Sequence, residues 1–186
     1  MRYRYLALIP ALALLAFQAV AATSINSDLQ DDLKTDGTGI ITHYADMQEG
    51  DDIHWYWIAP ETRLANYRCQ LSTYKNLAHS FDHKLRDVVK EDLPAAIKDA
   101  CSGKASAPVL QVEVATYHVE RANTAKRWIP FAGGHLAQAE VCMEFIFRDP
   151  GKVVKAKIRH CAREGHELSD AADEVLSDMN DFVHDH

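Results

Sequence analysis

The stretch AQAEVCMEFIFRDPGKVVKAKIRHCARE, residues 137–164, decides the fold because it reads as two strands joined by a tight turn. Apolar and polar residues alternate in both halves, which is typical of strands that bury one face. The DPGK segment between them is a strong turn signal. The stretch therefore predicts a half-buried antiparallel hairpin. Its predicted inward residues are Val141, Met143, Phe145, Phe147, Val154, Ala156 and Ile158.

The turn also predicts the register of this hairpin. A two-residue turn at the Pro-Gly pair would twist against the strands, so we expect a four-residue loop over residues 150–153. That loop places Cys142 opposite Cys161 and Glu144 opposite Arg159 on the polar face. Opposed residues lie about 4.5–5.5 Å apart at Cα, which is within disulfide range.

The four cysteines are therefore expected to form two disulfides. Cys69 shares a strand face with Leu71, which should point towards the helices, and Cys101 ends a long amphipathic helix that packs there. We predict the pairs Cys69–Cys101 and Cys142–Cys161. The alternative, a four-thiolate zinc site, is disfavoured because the sequence has no C-x-x-C motif.

The remaining periodicity predicts the other elements of the fold. We expect strands at 67–74, 109–119, 137–148 and from 154, and helices over 77–100 and from 168, the second capped by Ser169. Pro94 should kink or break the first helix, with Asp92 capping its second half. The predicted class is α+β: a two-layer β-α-β-β-β-α sandwich. Its mainly antiparallel four-stranded sheet would have two helices on one face and a mostly exposed polar face.

The N-terminus matches an export signal. Arg2 and Arg4 precede an apolar run at 6–17, and Ala-Val-Ala at 19–21 is a small-x-small cleavage site. That run is shorter than the roughly 20 residues of a membrane anchor. We expect a signal peptide at 1–21, a flexible lead-in at 22–39 and one domain at 40–186. The protein would then be periplasmic or secreted.

The charge excludes some partners. A net charge of −7 argues against nucleic acid and anionic membrane surfaces, which reward clusters of Lys and Arg. No cofactor motif is present, and we predict none. The sequence has neither a G-x-S-x-G elbow nor an H-E-x-x-H motif, so an enzyme is not the favoured interpretation.

The glycines of FAGGH, at 131–135, precede a strand and not a helix, so we interpret them as a turn and not a phosphate loop. The connection at 121–134 is the predicted binding loop, because it mixes cationic and aromatic residues. These are Arg121, Lys126, Arg127, Trp128 and Phe131.

Two further motifs allow more than one interpretation. His79 and His83 have the i, i+4 spacing of a metal pair but no third ligand, so an exposed helix face is favoured over a metal site. The aromatic run 55–57 is interpreted as a plug at the edge of the sheet. Its alternative is a platform on which a sugar or peptide could stack.

Three segments suggest a relationship. GIITHYADM (39–47), WIAPETRLANYRCQ (57–70) and RWIPFAGG (127–134) resemble bacterial envelope domains of unknown function, found in periplasmic proteins and outer-membrane lipoproteins. This chain differs in having no lipobox cysteine and in having four other cysteines. The resemblance implies an envelope role without catalytic residues. The predicted function is a non-enzymatic domain that binds another envelope protein or ligand. The alternative is a small hydrolase or metal-binding protein that uses its histidines.

Overall fold

A computed structural model describes residues 25–78, 82–123 and 138–186. The predicted signal peptide at 1–21 lies outside these residues, as do five residues of the predicted sites: His79, Lys126, Arg127, Trp128 and Phe131. Among the helices in the described ranges, none has the length and apolarity that a membrane span requires.

The described chain forms an α+β fold, which is the predicted class. It has three helices and six strands, which is more elements than predicted. In chain order they are α1 Ser27–Thr35, β1 Gln48–Glu49, β2 Trp55–Ile58, a 3-10 turn at Leu64–Asn66, β3 Arg68–Asn76, α2 His83–Ala100, β4 Val109–Glu120, β5 Ala139–Arg148, β6 Val154–Glu164 and α3 Leu168–Asp185.

The strands form one mixed sheet in the order β1-β2-β6-β5-β4-β3. All neighbouring pairs are antiparallel except β3 and β4, which are parallel because α2 connects them as a crossover. The predicted four-stranded, mainly antiparallel sheet is thus wrong in detail. The aromatic run forms β2, which pairs with β6 and extends the sheet at that edge.

Helices α2 and α3 cover one face of the sheet, as predicted. Asp82 caps α2 by accepting from the backbone N–H groups of Lys84 and Leu85. The predicted break is wrong, because α2 runs through Pro94 as one helix. Ser169 is not the cap of α3. Glu167 takes that position in a capping box with Asp170.

The opposite face of the sheet, called here the second face, is also covered. Helix α1 and residues 40–47 pack against it around a smaller apolar cluster. The flexible lead-in predicted at 22–39 is therefore wrong for residues 27–35, because Leu29 is fully buried and anchors an otherwise polar helix. The expectation of a mostly exposed second face is wrong as well.

The hairpin of β5 and β6 has the predicted register as far as Phe147 opposite Ala156, and next to the turn it shifts to place Arg148 opposite Val154. Cys142 lies opposite Cys161 and Glu144 lies opposite Arg159. Two disulfides are present, Cys69–Cys101 with Cα atoms 5.4 Å apart and Cys142–Cys161 with Cα atoms 4.0 Å apart. These are the two pairings that strand parity predicts. One ties β3 to the end of α2, and the other bridges β5 and β6 on the second face.

The aromatic run contributes to both faces of the sheet. Trp55 is buried in the second-face cluster, and its Nε1 donates to Asp32 at 2.7 Å. Tyr56 points to the helices and packs against Phe182 with the two rings tilted and their centroids 4.8 Å apart. Trp57 is half-buried beside Lys157. The plug interpretation therefore describes Trp55 better than the stacking platform does.

Candidate functional site

A bulge in β4 directs a group of polar residues to the second face. The register passes from Thr116 opposite Met143 to His118 opposite Cys142, which leaves Tyr117 as an extra residue. Simple alternation would have turned His118 and Glu120 towards the apolar helix layer. With the bulge, Tyr117, His118 and Glu120 all face the opposite way.

A buried ion pair forms the rigid base of this face. Nη1 of Arg159 lies 2.9 Å from Oε1 of Glu144. Glu144 also accepts from the backbone N–H of Ile41 and the hydroxyl of Tyr44, each at 2.8 Å. The guanidinium of Arg159 stacks over the Tyr117 ring at 3.9 Å. Because a buried pair needs further hydrogen bonds to offset its desolvation, these contacts fix both side chains in place.

A cleft of about 450 Å³ opens above this base, between α1 and the sheet. We call it the second-face cleft. Polar and charged side chains of both signs dominate its lining. The lining residues are Asp32, Thr35, Asp36, His54, Trp55, Tyr117, Glu140, Arg159, Cys161 and Arg163. The cleft is therefore suited to a polar ligand that offers both donors and acceptors.

Electrostatics within the cleft disfavour ionisation of two of its groups. Burial, together with the carboxylate of Glu140, raises the pKa of Asp36 against the opposing effect of His118. Burial also raises the pKa of Tyr117 well above its ordinary value. Arg163 donates to Oε2 of Glu140 at 2.8 Å. The cleft thus contains the Arg163–Glu140 ion pair, whose charges offset each other, and the carboxyl group of Asp36, whose raised pKa disfavours ionisation.

A chain of two histidines and one carboxylate links the cleft to the helix layer. The Nδ1 atoms of His54 and His160 are 2.9 Å apart, and Nε2 of His160 lies 2.7 Å from Oδ2 of Asp178. Burial lowers the pKa of His160. Neutral His160 with its proton on Nε2 donates to Asp178 and presents Nδ1 to His54. In the described part of the chain, no hydroxyl or free thiol is hydrogen-bonded to either ring.

Two groups of side chains have the composition of metal ligands. Asp36 lies beside Cys142 and Cys161, but those sulfur atoms are bonded to each other and are not thiolate ligands. The other group is His118, Glu120 and Glu140, whose ligand atoms all lie within 4.8 Å of one another. These three residues could hold a cation.

The predicted binding and metal residues that the structure describes, Arg121 and His83, lie outside the second-face cleft. Arg121 and His83 line a separate cavity of about 490 Å³, where Arg121 lies 3.0 Å from Asp82. His83 is the exposed first residue of α2. The structure thus brings together Arg121 and His83, which belong to two different sites predicted from the sequence.

The sequence indicates Trp55, Arg159 and Cys161 for other reasons, but not that they line one cleft with the residues of α1 and β4. The position of His118 and Glu120 depends on the bulge at Tyr117, which has no glycine or other local signal. A usable signal was the repetition of polar residues at 116, 118 and 120 on a face that earlier residues of the same strand mark as apolar. Such a conflict indicates a change of register.

These features define a class: a disulfide-stabilised α+β domain with a polar cleft on the second face of its sheet. No protein-family model matches the sequence, and no curated protein does. Two structures of a PelC dodecamer from Paraburkholderia phytofirmans, one of them a single-substitution variant, are similar in part. Each has 11% sequence identity and a TM-score of 0.40. The matches cover 69% of this chain and 93% and 96% of the PelC chains, a similarity too low to transfer a function.

Proposed function

We propose that the protein is an exported, non-enzymatic binding domain of the cell envelope, whose ligand occupies the second-face cleft. The signal-like residues 1–21 support export, and two disulfides are typical of proteins that fold in an oxidising compartment. The ligand is a small polar molecule or a short polar segment of another envelope component.

The rigid construction of the cleft is the observation on which this proposal depends. The Arg159–Glu144 pair fixes its base, and the hydrogen bond from Trp55 to Asp32 holds α1 as its wall. A preformed site loses little conformational entropy when a ligand binds. Exposed His54 and Arg163 offer donors at the rim, and Asp36 offers a carboxyl group.

The pairing of charges favours binding over catalysis. Arg159 is neutralised by Glu144, and Arg163 is paired with Glu140. A catalytic site needs a nucleophile or a proton-transfer group beside its base. In the described ranges, no nucleophilic hydroxyl or free thiol is hydrogen-bonded to the histidine chain. The alternative, a metal-dependent protein, is favoured by one other observation, the group around His118 considered below.

Native mass spectrometry of protein isolated from its own envelope tests the proposal. Thr35→Trp would fill the cleft from α1, whereas Gln30→Trp adds the same bulk to α1 at an exposed position that does not line the cleft. We expect a co-purified mass on the wild type and on Gln30→Trp that is absent from Thr35→Trp. The same mass on all three proteins, or on none, contradicts the proposal.

A further inference from the structure

Two glutamates face each other at the open end of the β4–β5 pair. Glu120 and Glu140 are directly opposite in the register, and His118 lies two residues before Glu120 on the same face. Like charges at directly opposed positions destabilise a sheet unless a cation lies between them. Arg163 offsets part of this repulsion through its ion pair with Glu140, and a cation bound between the two carboxylates would offset the rest.

The bulge in β4 is a second observation that indicates a metal site at these residues. It moves His118 and Glu120 away from the helix layer and towards Glu140, at the cost of an interrupted ladder between β4 and β5. Bulges occur often beside functional sites because they redirect side chains. Here the redirected side chains have the composition of a metal site.

The hydrogen bonding of the three residues leaves ligand atoms available. Within the described residues, the side chains of His118 and Glu120 make no hydrogen bond or ion pair, although His118 is half-buried. Arg163 occupies only Oε2 of Glu140. One imidazole nitrogen and two carboxylate groups therefore converge with a single, half-exposed guanidinium as counter-charge.

We propose that His118, Glu120 and Glu140 bind one divalent transition-metal ion, with Zn²⁺ as the best fit. Zinc accepts both imidazole nitrogen and carboxylate oxygen at about 2.0–2.2 Å, and sites with three protein ligands keep a fourth position open. Ligand atoms within 4.8 Å reach that geometry by side-chain rotation. Glu140 also lines the second-face cleft, so a bound ion would lie beside the cleft. The metal site does not depend on the identity of the cleft ligand.

Isothermal titration of Zn²⁺ into exported, untagged, metal-free protein tests this site. We expect one equivalent to bind with a heat signal that His118→Ala and Glu120→Gln each weaken at least about tenfold. Glu120 is exposed, so its substitution does not disturb the core. Arg163→Met removes the competing cation and should strengthen Zn²⁺ binding several-fold.

Matched controls separate this site from other histidines and carboxylates. Glu49→Gln alters an exposed glutamate outside the group, and His83→Gln alters an exposed histidine outside it. Both should bind Zn²⁺ as the wild type does. Unchanged affinity in both site variants, or no binding by the wild type, would overturn the proposal. So would binding that is lost only when two other histidines, His184 in the last turn of α3 and His186 at its C-cap, are both replaced with alanine.

Discussion

Glu144 and Arg159 face each other across β5 and β6 with their charged atoms 2.9 Å apart, and their side chains are 0% and 1% exposed. They lie on the face of the hairpin whose polarity suggested exposure to solvent. Glu144 also holds the N-terminal segment through Ile41 and Tyr44. The pair therefore joins the sheet to the segment that covers its second face.

Removing one charge of this pair should be strongly destabilising. Glu144→Gln leaves the guanidinium of Arg159 buried without a counter-charge, so we expect the free energy of unfolding to fall by about 3–5 kcal/mol. Urea unfolding followed by circular dichroism measures this free energy of unfolding. Glu113→Gln breaks the more exposed pair with Lys75 and should cost less than about 1 kcal/mol. Equal losses in the two variants would mean that the buried pair has no special role.

Much of the fold could be predicted because its periodicity is strong. Alternation in β5 and β6, with the turn between them, was sufficient for the register of Cys142 and Cys161. The covered second face could not be predicted, because the pairing of Glu144 with Arg159 is a tertiary contact between residues that each look exposed. Helix α1 was missed for a related reason. Its one fully buried anchor is Leu29, too little for a detectable apolar stripe.

The two disulfides should stabilise the domain to a similar extent. Replacing both cysteines of a pair with alanine removes a crosslink that closes 32 residues for Cys69–Cys101 or 19 for Cys142–Cys161. The loop-entropy relation gives a loss of about 3–4 kcal/mol for each, with the longer loop costing roughly half a kcal/mol more. Urea unfolding without reductant tests this. Non-reducing peptide mapping that joins Cys69 to Cys142 would contradict the pairing itself.

Asp36 should make stability depend on pH. Its pKa is raised by burial, so the folded protein holds this proton more tightly than the unfolded chain. Stability therefore falls as pH rises from the ordinary value of 3.8 through the raised one. Asp36→Asn removes this loss and should be more stable than the wild type at neutral pH, with the difference shrinking as pH falls towards 3.8. Thermal unfolding across this pH range measures the difference in stability between the variant and the wild type. Asp52→Asn, at an exposed aspartate, is the control and should show the same pH dependence as the wild type. A difference that grows on acidification would contradict the account.

The two tryptophans of β2 should respond differently to truncation. Trp55 is buried and hydrogen-bonded to Asp32, so Trp55→Ala should cost about 3–5 kcal/mol and loosen α1. Trp57 is half-buried, and Trp57→Ala should cost clearly less. Circular dichroism during urea unfolding compares them without relying on tryptophan fluorescence. Equal losses would contradict the difference in burial.

The candidate site was less predictable than the fold. The predicted cysteine pairing indicates Cys161, which lines the cleft, whereas the positions of Tyr117 and Glu120 depend on a bulge whose one sign in the sequence is the break in the alternation of β4. Helix α1 and its C-cap also form one wall of the cleft through Asp32, Thr35 and Asp36, and this wall could not be predicted because the helix itself was not. Arg121, predicted as a binding residue, lies in a different cavity.

Site-specific photo-crosslinking in intact cells tests the central claim, that the second-face cleft binds an envelope component. A photoreactive amino acid at position 35 faces the cleft, and the same group at position 30 lies on the exposed side of α1. We expect one adduct of defined mass from position 35, little or none from position 30, and loss of that adduct when Arg163→Ala removes a donor at the rim. Equal labelling from both positions, or an adduct from position 35 that Arg163→Ala leaves unchanged, would contradict the claim.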